Sequence, residues 1–452
     1  MKVLVIGKGG REHSIIRALK KSPEITKLYC APGNAGIACE AINVPIKDTN
    51  KKNMLKFAIN EGIEFAVVVP DNPLAHGMVD ALEEVGVPCF GPNARAAQIE
   101  ASKVFSKNLM KKYNIPTGDY EVFIDAYKAI KYVKDKNTYP TVIKADGLAL
   151  GKGVIIANDF AEAEAAIKAM MIDGKFGESG KQIIIEEFLT GPEVSILCFT
   201  DGNTIKPMIS SMDHKRALDG DRGLNTGGMG AVAPNPAYTQ KIAAECMEKI
   251  FIPTIEAMKL EGRPFSGCLY FGLIITSKGP KIIEYNCRFG DPEAQTVLPL
   301  LKTDLFTIMR AVRGKYLKDV DVIFSNDSSA CVVMAAPGYP TSYPKGLVIK
   351  NLNKNGQIDD SDVTVYHAGT IFENGDFKTS GGRVLCVTAT DCCLKKAIEK
   401  AYSNIKKISF DDAHYRTDIG QKALNILKFN KTINLENYDA DDLLLKTLKK
   451  NF

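Results

Sequence analysis

No stretch of this 452-residue chain approaches the roughly 20 consecutive apolar residues that a membrane span needs. The opening run "VLVI" is far too short for the apolar core of a secretory signal. Charge is not blocked: 58 Lys and Arg against 53 Asp and Glu leave +5, scattered along the chain. No nucleic-acid footprint results, although a modest positive field favours phosphorylated substrates. The eleven cysteines contain no CxxC pair, and Cys392 and Cys393 are adjacent, which is poor disulfide geometry. A reducing, cytoplasmic setting is expected, with small-molecule partners, no membrane, and a monomer or weak homodimer. His13, His76, His214, His367 and His414 stand far apart, and no Cys/His spacing suits zinc. GxSxG and catalytic-cysteine signatures are absent, as are internal repeats and low-complexity tracts.

What is present is ordinary globular composition, 45% hydrophobic and 25% charged, on a length that suggests about three domains. The first hundred residues alternate strand and helix: "KVLVIG", "GREHSIIRALKKS", "KLYCAPG", "NMLKFAINEG", "IEFAVVVP", "HGMVDALEEVG" and "VPCFGP". That alternation predicts a parallel α/β sheet covered on both faces. Residues 101–116 read as one amphipathic helix ended by Pro116. A compact α+β segment follows to about 190, then longer strands with a glycine-rich stretch to about 325. Strands and helices mix again from 326 to 425, and a polar tail occupies 426–452.

Five stretches could hold ligands. "IGKGGREH" (6–13) follows a strand and opens a helix, a natural anion site. Glu12 stands where a dinucleotide fingerprint needs its third glycine, so the choice is between a phosphorylated sugar and an ordinary turn. Asn34 of "PGNAG" ends the next strand on the same rim. "TVIKADGLALGKGVIIA" (141–157) carries Lys144, Gly147, Gly151, Lys152 and Gly153 but runs back into a strand, unlike a P-loop. It is either a lid over phosphates or a mobile hairpin. In "KQIIIEEFLTGPEVSILCF" (181–199) a linker at Glu186, Glu187, Phe188 and Leu189 suits a purine edge and Glu193 suits ribose hydroxyls; a plain hairpin fits equally. "MDHKRALDGDRGLNTGGMGAVAPNP" (212–236) reads as a strandless glycine-rich loop, of the length that is either functional or a surface excursion. Its Asp213, His214, Lys215 and Arg216 suit a small zwitterion.

"KIIEYNCRFGDPEAQ" (281–295) runs from a strand into a turn with Glu284, Asn286 and Arg288 at alternate positions, hence on one face. A carboxylate beside an amide oxygen suits Mg²⁺ or Mn²⁺, and an arginine next to them suits a carboxylate or phosphate. A solvated strand face is the plainer reading.

Taken in order, "GKGGREH", "PGNAG", "DHKRALDGDRGLNTGGMGA" and "NCRFGDPEAQ" resemble the ATP-grasp superfamily and, within it, the glycinamide ribonucleotide synthetases, over residues 1 to about 425. The resemblance implies an open parallel α/β domain (1–100), an ATP-grasp region (101–325) with a lid at about 118–190, and a small α+β C-terminal domain (326–425). It implies ATP-dependent ligation of glycine to 5-phosphoribosylamine through a glycyl phosphate, a step of purine biosynthesis, with ATP as co-substrate. By resemblance, Glu284 and Asn286 ligate Mg²⁺ or Mn²⁺, and Lys103 and Lys144 contact ATP phosphates beneath the loop Gly147–Gly151–Gly153. Glu186 to Leu189 would then read adenine and Glu193 the ribose. Gly9, Gly10, Asn34 and Asp71 fall on the phosphoribosylamine side. Asp213, Lys215, Asn225 and Arg288 fall around glycine and the acyl phosphate. Two positions depart from the family: "VPDN" puts Val69 and the shorter Asp71 where "GPE" is usual, and Leu224 replaces a proline. Nothing like the enzymes fused to this one in some lineages follows residue 425, so a single activity is expected. The nearest alternative is another ATP-grasp carboxylate–amine ligase with a different acceptor.

Overall fold

The computed structural model describes residues 1–148, 153–359 and 362–435, the side chains of 431–435 excepted. Its first hundred residues form a parallel five-stranded sheet: β1 (Lys2–Gly7), β2 (Lys27–Pro32), β3 (Ile42–Asn43), β4 (Phe65–Val68) and β5 (Cys89–Phe90), in the order β3-β2-β1-β4-β5. Val3, Leu4, Val5 and Ile6 are fully buried, because helices cover both faces of β1. The strand order reverses between β1 and β4, and there the loops at Gly7–Gly9 and Val69–Asp71 open a crevice above the carboxyl ends.

The helix expected at 101–116 is present as Lys103–Lys112, and a separate helix runs into it from upstream. Ala94–Ala101 stops at Ser102 (φ −129°, ψ 109°), whose hydroxyl accepts from Phe105 N–H and caps a new helix, Lys103–Lys112. Ser102 was legible as a cap only once the break was known.

Residues 120–187 form an antiparallel sheet of Tyr120–Phe123, Ile183–Glu187, Thr141–Ala145 and Val154–Ala157, backed by helices Ala126–Lys136 and Phe160–Met171. Ile143, Ala145, Ile183 and Ile185 pack there against Ala163, Ile167 and Met170 in a core of their own. A second antiparallel sheet joins Ile205–Pro207, Glu193–Thr200, Gly267–Thr276 and Gly279–Asn286.

The stretch 212–236 is not strandless. Arg216–Leu218 and Arg222–Asn225 pair as a hairpin, while Met212–Asp213 and Gly230–Ala233 join Ser328–Ala335, Arg383–Asp391 and Thr364–His367 in one five-stranded sheet. Short strands of two to four residues interleaved with glycine leave no period-2 signal to read. That sheet also crosses the boundary expected near 325, tying the glycine-rich stretch to the C-terminal region. Among the described residues no helix is long and apolar enough to cross a membrane, and all eleven cysteines are free.

Candidate active site

The edge strand Gly279–Asn286 supplies the first side chains. Pro280 and Ile282 point into the core, but so do Tyr285 and Cys287, one residue out of phase. A β-bulge opposite Gly272 and Leu273 absorbs the extra residue and turns Glu284 and Asn286 toward the open face. Arg288 lies beyond the strand end. Its Nη2 donates to Asn286 Oδ1 at 3.1 Å and to Glu100 Oε1 at 2.9 Å, and Glu100 also accepts from Cys287 N–H at 2.7 Å. Burial works against the Arg288 charge, but Glu100 and then Asp71 outweigh it and raise its pKa. Lys215 Nζ sits between two carboxylates, 3.3 Å from Glu284 and 3.7 Å from Glu193. The Lys215 charge, with Lys144 and Lys103 behind it, brings Glu284 down to about 2 against its burial.

Lys103, at the start of its helix, donates to Gly147 O at 2.6 Å, and burial lowers its pKa. Lys144 reaches Glu186 Oε2 and Ile283 O, both at 3.1 Å. Lys107, one turn beyond Lys103, also meets Glu186 Oε2, at 3.0 Å. Sequence reasoning missed Lys107, although its i, i+4 spacing from Lys103 was visible. Glu186 and Glu187 belong to the strand Ile183–Glu187, so the connecting segment proper begins at Phe188 and Leu189. The Glu186 carboxylate is buried behind the site, and only its Oε1 lacks a partner. Glu187 is held by Lys281 and by Asp119 N–H. Gly147 (φ +123°) faces Ser179, where a Cβ would meet the hydroxyl at 2.5 Å. Gly153 is described; Gly151 and Lys152 lie outside the described residues.

The hairpin region brings Asp213 and Lys215 to the same mouth. Asn225 pairs with Arg216, beside Thr226, whose hydroxyl donates to Lys215 O at 2.9 Å. His214 and Arg216 point elsewhere: the His214 ring faces Gly230 O and accepts from Gly420 N–H, and Arg216 donates to Gly223 O. Burial takes the His214 pKa down to about 4, a neutral packing residue. Arg383, from the C-terminal region, donates to Gly227 O, Gly228 O and Asp291 O and pairs with Asp291 Oδ2 at 2.9 Å. No local signal could have brought Arg383 to a loop 92 residues away.

On the N-terminal rim, Gly9 N–H donates to Glu12 Oε2 at 2.5 Å, so the residue that broke the dinucleotide fingerprint caps its own helix. A Cβ at Gly10 would meet Gln295 at 2.7 Å, which makes this helix start the contact with "DPEAQ". Asn34 spends both amide hydrogens on Lys8 O and His367 O, and its Oδ1 accepts from Ile37 N–H. It shapes the rim. Asp71 begins the helix Asp71–Ala75, with its charge felt at Arg288.

Among the described residues no three His, Cys, Asp or Glu side chains group as a metal site. Glu284 and Asn286 fit the other pattern, a carboxylate and an amide oxygen whose Mg²⁺ completes its shell from substrate phosphates and water. The Glu284 carboxyl is held ionised, as a ligand of such a cation must be, and the lysines that hold it so suit the phosphates that would complete the shell.

The chain's fold is that of an ATP-grasp protein. Residues 101–294 match the model of the phosphoribosylglycinamide synthetase ATP-grasp (A) domain. At the level of fold alone, a Campylobacter jejuni biotin carboxylase solved as a β-γ-ATP complex shares it, with TM-score 0.72 and 15% identity over 98% of each chain. Residues 1–100 and 329–422 match the N and C domains of the same synthetase. A phosphoribosylamine–glycine ligase from Clostridium acetobutylicum is 45% identical over 93% of this chain and 100% of its own. The crystal structure of the Thermotoga maritima phosphoribosylamine–glycine ligase aligns with TM-score 0.80 and 33% identity, covering 93% of this chain and 100% of that one. This chain belongs to the phosphoribosylglycinamide synthetase family.

Proposed function

We propose that this chain catalyses the phosphoribosylamine–glycine ligase reaction: glycine, 5-phospho-D-ribosylamine and ATP give N1-(5-phospho-D-ribosyl)glycinamide, ADP and phosphate. One observation carries the reading. Glu284, Asn286 and Arg288 converge with Lys103, Lys144 and Lys215 at a mouth facing the N-terminal crevice, in a chain of this family.

An unactivated carboxylate is a poor electrophile, because expelling oxide from it is prohibitive. Transfer of the γ-phosphoryl group solves this. A glycine carboxylate oxygen attacks the γ-phosphorus, the bond to the bridging oxygen breaks, and ADP leaves with the electron pair. Lys103 and Lys144 hold the phosphates, and Lys215 and Arg288 face the charge that builds on the transferring group. Glu284 and Asn286 would hold the Mg²⁺ or Mn²⁺, which neutralises phosphate charge when bound. The amine nitrogen then attacks the acyl carbon, the bond to the phosphate oxygen breaks, and the nitrogen's proton goes to the departing phosphate. The unit at about 118–190, with its own core and its glycine loop, acts as a lid that keeps water from the acyl phosphate. Phe188 and Leu189 take the adenine edge and Glu193 the ribose. The Gly9–Gly10 turn and Asp71 take phosphoribosylamine, and Asn34 fixes the loop beside them.

The deciding experiment is ADP release with phosphoribosylamine generated in situ from ribose 5-phosphate and ammonia. ADP that appears only when glycine and the sugar amine are both present is the expected result. Turnover with other carboxylate–amine pairs but not this one would move the chain to a different ATP-grasp ligase. For the sugar side, Asp71→Ala should raise the KM for phosphoribosylamine about tenfold, the scale of one hydrogen bond to a charged group, and leave the KM for ATP within twofold. Equal shifts in both would take Asp71 out of the sugar site.

A further inference from the structure

A cavity of about 190 Å³ lies away from the catalytic mouth, where the far half of the helix Gly10–Leu19 meets the C-terminal sheet. Arg17 and Lys21 stand on one side of it, and Thr364, Tyr366, Thr388 and Thr390 on the other. Arg17 is about two turns beyond Gly10, roughly 10 Å along the axis, so the cavity is separate from the turn assigned to the sugar.

The wall of hydroxyls follows from strand register. Thr364 lies opposite Thr388, and Tyr366 opposite Cys386, so Thr364, Tyr366, Thr388 and Thr390 share one face of the sheet. The alternate residues Val365, Val387 and Ala389 go to the main core behind it. Ser329 pairs with Thr390 on the same face. Both Ser329 Oγ and Thr388 Oγ1 are buried without a hydrogen-bond partner. An unpaired buried hydroxyl is costly, and a bound oxyanion is an acceptor that would relieve it.

The helix side supplies cations. Arg17 donates through Nη1 to Glu40 Oε1 at 2.7 Å and keeps the rest of its guanidinium fork. The carboxylate in the wall, Asp362, is held by Lys400 at 2.6 Å, and Lys400 also meets Asp391 at 3.1 Å. Lys21 is exposed and has no such partner among the described residues. Hydroxyl donors facing a guanidinium and an ammonium are complementary to phosphate. The cavity is smaller than the roughly 300–1,000 Å³ of pockets that enclose a whole cofactor, so it suits a phosphate group and little more.

We propose that this cavity is an accessory site for a phosphate group, as the free ion or the monoester of a small metabolite, which ties the helix Gly10–Leu19 to the C-terminal sheet. The site stands apart from the ligase reading and does not depend on it.

The test is calorimetry on the full chain, first saturated with Mg²⁺ and a non-hydrolysable ATP analogue so that the catalytic mouth is filled. Inorganic phosphate is titrated in, and glycerol 3-phosphate separately. Binding that persists in the analogue-loaded protein is the expected result, and the tighter of the two probes tells free ion from monoester. Thr388→Val keeps the shape and removes the orphan hydroxyl; it should weaken that binding about tenfold, the scale of one hydrogen bond to a charged group. Lys21→Gln, at an exposed position, should weaken it about threefold. Analogue affinity should stay unchanged in both variants, and Thr388→Val should match wild type in urea unfolding, because no bond within the chain is lost. Phosphate heats that vanish once the analogue is bound, or that both variants leave as they were, overturn the site. If Thr388→Val does not fold, Lys21→Gln decides by the same criteria.

Discussion

Glu284→Gln should reduce glycine-dependent ADP release about 10²- to 10³-fold, the usual cost of one preorganised electrostatic contact in a transition state. Glutamine fills the same volume and leaves the bulged strand intact, so the loss should be chemical. A neutral amide is a weaker ligand for a hard cation than a carboxylate is. It also strips the counter-charge from three cations, because Lys215, Lys144 and Lys103 all hold Glu284 ionised. The same electrostatics fix the pH behaviour. The carboxyl falls from 4.5 to about 2 on folding, so its contribution to stability is complete above pH 4.5 and disappears as pH drops toward 2. The variant should lack that part of the wild-type acid dependence in urea titrations between pH 5 and 3. Its resting stability at pH 7 should fall too, since Lys215 loses the group that chiefly raises its pKa. Wild-type ADP production at saturating Mg²⁺ would remove Glu284 from the chemistry.

Much of this site could be read without coordinates because its chemistry sits at chain-local punctuation. "KVLVIG" before "GKGG" is a buried strand running into a helix start, and the structure puts both there. Glu284, Asn286 and Arg288 do share the open side, because alternation holds from Glu284 onward, though not along the whole strand. The core phase slips between Ile282 and Tyr285, and the bulge restores the face. Alternation counted backward from Arg288 happened to cross no bulge; counted from Pro280 it would have put Glu284 in the core. What stayed hidden depends on long-range partners. Glu100 and Arg383 reach the site from 188 and 92 residues away in sequence, measured to Arg288 and Asp291. The strands inside 212–236 exist because Ser328–Ala335 offers Gly230–Ala233 a neighbour, information that a window of 25 residues does not contain. Asn34 stands beside the Gly7–Gly9 loop, but its hydrogen bonds go to Lys8 and His367, the second of which folding alone brings near.

Glu186→Ala should be the most destabilising single change around the site, by about 3–5 kcal/mol, the range for a buried ion pair that loses one member. Glu186 is 6% exposed, and one of its oxygens receives both Lys107 and Lys144. Lys107 also donates to Thr117, which donates to Ile282 O, and Lys144 donates to Ile283 O. A single carboxylate thus joins the helix Lys103–Lys112, two strands of the lid and the edge strand that carries Glu284. Removing it strands two ammonium groups in the interior. Burial already takes Lys107 from 10.5 down to about 8 against the attraction of Glu186, and without that attraction it must fall further. The sign follows from proton counting. Where the folded chain binds fewer protons than the unfolded one, stability rises with pH, and in the variant that regime begins below pH 8. The deficit measured by urea unfolding should therefore narrow as pH is raised toward 8 and then level off. Replacing Lys107 by Met in a Glu186→Gln background should restore more than half of the stability that Glu186→Gln alone loses, since one charge then leaves with its partner. The same variants separate support from recognition. If the Glu186 carboxylate reads adenine through its unpartnered Oε1, Glu186→Gln loses nucleotide affinity in the folded protein and the Met rescue does not return it. If the carboxylate holds the two lysines in place, stability and affinity recover together.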